Sequence, residues 1–167
     1  MTRKQRHLIK AGALAMAALF MIAPASAADR ASGSIALGKH RADVAHATLV
    51  RGPDEMNPGA TVLRLYLSAK DAGAAIKACK TLSCADQAAG DGASVDFGDA
   101  SHLSYAVQLD GGLAQYSGGT TRDAFNLTAS QPDHLAGTLS IDDAAMGGAK
   151  VDAAFDATLA ATFKSAR

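Results

Sequence analysis

The stretch Lys150-Val-Asp-Ala-Ala-Phe-Asp-Ala-Thr-Leu-Ala-Ala-Thr-Phe-Lys164 decides the fold. Every odd position from Val151 to Phe163 is apolar, while the even positions hold Asp152, Ala154, Asp156, Thr158, Ala160 and Thr162. Successive strand side chains point to opposite faces, so this is a long strand with one buried face. A helix competes, because Val151, Phe155, Leu159 and Phe163 are spaced by four and alanine favours helix. The threonines, the phenylalanines and the preceding Gly147-Gly148 favour the strand. A strand of this length is expected to bend between two sheets.

The same alternation runs through Leu63–Leu67, Leu103–Leu109, Phe125–Ala129 and Leu135–Ile141, with shorter candidates at Ser34–Leu37, Asp43–Val50 and Ser94–Phe97. Asp110-Gly111-Gly112 supplies residues that tolerate positive φ, which predicts a hairpin from Leu109 into Leu113–Ser117. Gly118-Gly119, Gln131-Pro132-Asp133 and Met146-Gly147-Gly148 punctuate the remainder. Ala69–Lys80 lacks alternation and reads as one short helix, capped by Ser68, with Asp71 near its start, ending near the cysteines. The expectation is an all-β domain: an antiparallel β-sandwich or small barrel with one short helix.

Ahead of this domain stands a different kind of segment. Residues 1–27 carry Arg3, Lys4, Arg6 and Lys10, then the uncharged apolar run Ala11–Ala23, then Pro24 and Ala25-Ser26-Ala27. That is the layout of a secretory signal peptide cleaved after Ala27. Its apolar run of 13 residues is too short for a spanning helix, which needs about 20. The expected organisation is a signal peptide over 1–27 and a single domain over 28–167, delivered to the periplasm or released. No later segment reads as a membrane span. Residues 28–167 hold 12 Lys and Arg against 16 Asp and Glu. This acidic balance, with no basic cluster, excludes a nucleic-acid reading, which requires grouped cations to displace phosphate counterions.

Export places Cys79 and Cys84, the two cysteines of the chain, where disulfides persist. The expected bridge closes a six-residue ring, worth about 2 kcal/mol in the chain-entropy account. The C-x4-C spacing is not that of a redox pair.

The remaining polar residues supply the candidate chemistry. His40, His46, His102 and His134 are the candidate metal ligands, since neutral imidazole commonly binds copper and zinc. Their spacing contains no H-x-H or H-E-x-x-H. Asp86, Asp91, Asp96 and Asp99 cluster among glycines, but without the closely alternating acids of a calcium loop. G-x-S-x-G is missing, and adjacent Ser101-His102 would point to opposite faces of a strand. Nothing calls for a cofactor. An outer-membrane barrel is disfavoured by an aromatic content of 5% with no tryptophan.

The layout resembles a loose group of small secreted bacterial β-domain proteins of unknown function. The resemblance rests on Gly33-Ser-Ile-Ala-Leu-Gly38, the Arg51-Gly-Pro-Asp54 loop, Val62–Leu67, Leu135–Leu139 and Val151–Ala157, and spans residues 32–164. It implies an all-β fold and brings no catalytic residues. The functional expectation is an exported non-catalytic binding or structural module of the bacterial envelope, partnered by another envelope protein or component. The alternatives are a periplasmic metal-binding protein using the histidines, or an enzyme of unrecognised type. The candidate interaction residues are Arg51, Asp54 and Glu55 in the charged loop and the outward-facing Arg64 and Tyr66.

Overall fold

The structure, a computed structural model, describes residues 29–55, 57, 59–97 and 102–167. The expected signal peptide and Asp99 lie outside the described residues. Among the described residues, ten strands form one curled sheet: β1 (Arg30–Leu37), β2 (His40–Val44), β3 (His46–Pro53), β4 (Thr61–Ser68), β5 (Gly92–Phe97), β6 (His102–Leu109), β7 (Ala114–Thr121), β8 (Phe125–Gln131), β9 (His134–Asp142) and β10 (Ala149–Thr162). Two helices, α1 (Gly73–Ala78) and α2 (Leu82–Ala89), interrupt the strands.

β10 is the hinge of the architecture. Its first part pairs antiparallel with β1 on one side (Arg30↔Asp156 to Leu37↔Ala149) and with β9 on the other (Lys150↔Asp142 to Thr158↔His134). Its end pairs parallel with β3, from Leu159↔Leu49 to Thr162↔Arg51. The strand therefore belongs to both arms of the sheet: β2-β1-β10-β9-β8, and β10-β3-β4-β5-β6-β7. The sheet is thus mixed, not purely antiparallel, because β10 closes onto β3 running the same way.

A bulge between Leu159 and Ala161 makes the transfer. Val151, Ala153, Phe155 and Ala157 face the main core, whereas Ala161 and Phe163 pack in a second apolar cluster. All are odd-numbered. One extra residue reverses which face an odd position takes, so a single unbroken alternation serves two cores.

The main core lies inside the curl and joins Ile35, Leu49, Leu65, Val95, Val107, Leu139 and Val151, among others, from both arms. Glycines set close approaches within the sheet. A Cβ on Gly92 (φ +158°) would stand 2.1 Å from the Leu67 carbonyl oxygen, and one on Gly137 (φ +152°) 2.3 Å from that of Asn126. Such glycine positions let a sheet coil more strongly.

The expected Asp43–Val50 strand is divided at Ala45, whose N–H donates to the Ser68 carbonyl while its own carbonyl accepts from Ala31 N–H. Residues on either side pair in different arms. The expected single helix is a pair. α1 begins at Gly73, and Ser68 does not cap it: the Ser68 hydroxyl donates to the Lys70 carbonyl, while Asp71 accepts from Gly73 N–H at 2.9 Å. α2 starts behind Thr81, whose hydroxyl accepts from Cys84 N–H at 3.2 Å. The free N–H groups of Leu82 and Ser83 donate to the carbonyls of Ser165 and Ala166, so the chain's tail completes the start of α2. The Cys79–Cys84 disulfide joins the two helices. Ile76, Leu82 and Ala85 cover Val50, Tyr66 and Phe163 on the outer face of the sheet. Among the described residues, no helix is long and apolar enough to cross a membrane.

Candidate binding cleft

The helical layer covers only part of the outer face. Beyond α2 the sheet stays open over β4 to β7, leaving a cleft of about 420 Å³. Cross-strand register builds its floor, with small side chains beyond Tyr66: Tyr66 lies opposite Ser94, Ser94 opposite Ala106, and Ala106 opposite Ser117. One wall is α2, which contributes Asp86, followed by Gly90.

At the foot of that wall, one guanidinium holds two carboxylates. Arg64 on β4 is directly opposite Asp96 on β5. Its Nε donates to Asp96 Oδ1 at 2.5 Å and its Nη2 to Oδ2 at 2.8 Å. Its Nη1 donates to both oxygens of Asp86 at 2.8 Å. The Tyr66 hydroxyl donates to Asp86 Oδ1 at 2.7 Å. Arg64 is 13% exposed, Asp86 41% and Asp96 24%. Burial alone would lower the arginine's pKa, but its bonds to Asp96 and then Asp86 outweigh this and raise it. Burial, and next the bond to Asp86, push the Tyr66 hydroxyl well above the usual tyrosine range. Arg64 is therefore a fixed cation and Tyr66 a fixed donor, and the pair of aspartates leaves the group with one net negative charge.

The residues expected at an interaction surface separate. Arg64 and Tyr66 come together in the cleft, where α2 buries Tyr66 instead of leaving it outward and solvated. Arg51 lies elsewhere: its guanidinium donates to the Pro132 carbonyl beside a second depression of about 380 Å³, where Arg122 stands 4.9 Å above the Phe97 ring. Asp54 closes its own loop by accepting from Asn57 N–H at 3.2 Å, and Glu55 lies 3.8 Å from Arg167. The histidines separate as well. His40 hydrogen-bonds to Asp110, and His134 pairs with Asp156 at 2.8 Å. His46 opens β3 and the exposed His102 opens β6. Among the described residues, no three of His, Cys, Asp and Glu are grouped to hold a metal ion. Of the glycine-rich acidic cluster, Asp86 and Asp96 bind Arg64, and Asp91 accepts from Gly111 N–H at 2.8 Å.

Sequence reasoning had no means of joining Arg64 to Asp86 and Asp96. The three lie on different elements, and their meeting depends on the β4–β5 register and on α2, which was not expected. Comparison with protein families, with curated proteins and with solved structures yields no match.

Proposed function

We propose that this chain is exported from a bacterial cytoplasm, loses residues 1–27, and works in the periplasm or outside as a non-catalytic binding module for an envelope component, held in the cleft beside α2. The observation that carries this reading is the cleft itself, a concavity of mixed polar and apolar lining whose charged groups are bound to one another. Arg64 spends its charge on two carboxylates, and Tyr66 holds its proton, so neither is suited to act as a nucleophile or base. What the cleft offers is a rigid pattern of acceptors and hydroxyls over a flat floor, which suits recognition of a polar ligand. The leader pattern and the Cys79–Cys84 disulfide support an oxidising destination.

Two measurements test the reading. The intact mass of protein released by osmotic shock reports export, with an N-terminus at Ala28 expected. Amide NMR spectra recorded while envelope fractions are added report binding, with shifts expected at Asp86, Ser94, Ser104 and Ser117. Retention in the cytoplasm sinks the export reading. Shifts confined to other surfaces, or a turnover that survives loss of Arg64, sink the assignment of the cleft.

A further inference from the structure

Among the described residues the sheet has three strands with an unpaired side: β2, β8 and β7. An unpaired strand exposes a row of N–H and C=O groups that can template another strand, and folded proteins guard such edges with charge, shortness or bulges. β2 is guarded. It has five residues, carries Arg41 and Asp43, and is tied by His40 to Asp110. β8 is guarded by the irregularity between Leu127 and Ala129. β7 is not. Ala114-Gln-Tyr-Ser-Gly-Gly-Thr-Thr121 runs eight residues without a charge, a proline or a bulge, in unbroken register with β6.

We infer that a second copy of this chain occupies that edge, the two β7 strands pairing antiparallel about a two-fold axis at Gly118. Charge selects this occupant. On such an axis each residue meets its own counterpart or a near neighbour, so any charge near the centre would face its like. β7 is free of charge throughout and smallest at its centre, where Ser117, Gly118 and Gly119 leave room for two backbones to approach. With Gly118 on the axis, Tyr116 of one copy stands opposite Thr120 of the other, an aromatic to β-branched pairing that stabilises sheets.

The pairing also bears on the cleft. Gln115 and Ser117 line its open side, away from α2. A second copy continues the floor past β7 and supplies its own α2 as the far wall. Counting seven strand spacings from β4 to β4, the joined surface is about 33 Å across. The dimer stands on the edge strand alone and does not depend on what the cleft binds.

The test is the mass of the purified protein by sedimentation and light scattering from about 2 to about 200 µM, since dimers respond to concentration. Twice the chain mass is expected. Ser117→Lys and Ser117→Asp, each at an exposed position, are expected to give monomers with the wild-type circular dichroism spectrum and a Tm that no longer changes with concentration. An equimolar mixture of the two is expected to be dimeric again. A wild-type monomer over the whole range overturns the inference. So do single variants that stay dimeric, and a mixture that stays monomeric with both variants folded. Should either Ser117 variant lose its native spectrum, Gly119→Lys and Gly119→Asp, exposed on the same face and equally near the axis, where a Cβ meets nothing closer than the Leu103 carbonyl oxygen at 3.9 Å, carry the same comparison.

Discussion

Replacing Arg64 with methionine keeps the apolar stem but removes the guanidinium and its charge, and leaves Asp86 and Asp96 without their common partner. Breaking a fully buried pair by deleting one member costs about 3–5 kcal/mol, because the survivor stays buried and uncompensated. Here the acids are 41% and 24% exposed, so water takes over part of the lost interaction. The expected loss is about 2–3 kcal/mol. For a folded unit of this size, each kcal/mol moves Tm by roughly 3–4 °C, so Tm should fall by about 6–12 °C. The triple variant R64M/D86N/D96N separates charge from shape. With all three charges gone, no unpaired ion remains, and at least half of the loss should return. Urea unfolding at pH 7 in moderate salt, with equal m-values across the series, reads both quantities. A single variant within about 0.5 kcal/mol of wild type would show that solvent already screens the cluster. A triple variant no better than the single would show that packing around Arg64, not the stranded carboxylates, carries the effect.

The native protein should show no reactive thiols, and C79S/C84S should be less stable by about 2 kcal/mol in urea; two titratable thiols before denaturation would remove the bridge. Gly92→Ala drives a methyl group against the Leu67 carbonyl at 2.1 Å and should cost about 3 kcal/mol or abolish folding, whereas Gly59→Ala, with no atom nearby to meet a Cβ, should cost no more than the strain of its positive φ, about 1 kcal/mol. Alkali should unfold the protein through two tyrosines. Burial, then bonds to Asp86 and Asp143 respectively, raise the Tyr66 and Tyr105 hydroxyls above the ordinary value. Their contribution is complete below the unfolded-state pKa near 10, and above it each costs about 1.4 kcal/mol per pH unit, because the unfolded chain loses protons that the folded chain keeps. The slopes of stability against pH for Tyr66→Phe and Tyr105→Phe should therefore be shallower than wild type above pH 10; parallel slopes would refute the assignment.

Alternation was legible wherever one face of a strand meets the core, since it depends only on the chain's own period of two. Leu63–Leu67, Leu103–Leu109, Phe125–Ala129 and Leu135–Ile141 all lie within strands of the structure, and the Asp110-Gly111-Gly112 turn joins β6 to β7 as expected. The helical reading of Ala69–Lys80 found α1 but stopped at the disulfide. The cap of α2 at Thr81 is a local signal, but the partners of its first N–H groups come from Ser165 and Ala166 at the far end of the chain. Of the candidate site, Arg64 and Tyr66 are legible as outward strand residues, while Asp86 and Asp96 read in the sequence only as acids among glycines without the spacing of a calcium loop.

From sequence alone came the all-β class, the long closing strand, the cysteine pair and the leader pattern, each written in residues close along the chain. Tertiary structure decided that β10 changes arms at the bulge after Leu159, that the sheet is mixed, and that one guanidinium holds carboxylates from a strand and a helix. The reason is physical: side-chain alternation is set by neighbouring dihedral angles, but register and the meeting of charges arise from contacts between residues distant in sequence, whose energies no local pattern encodes.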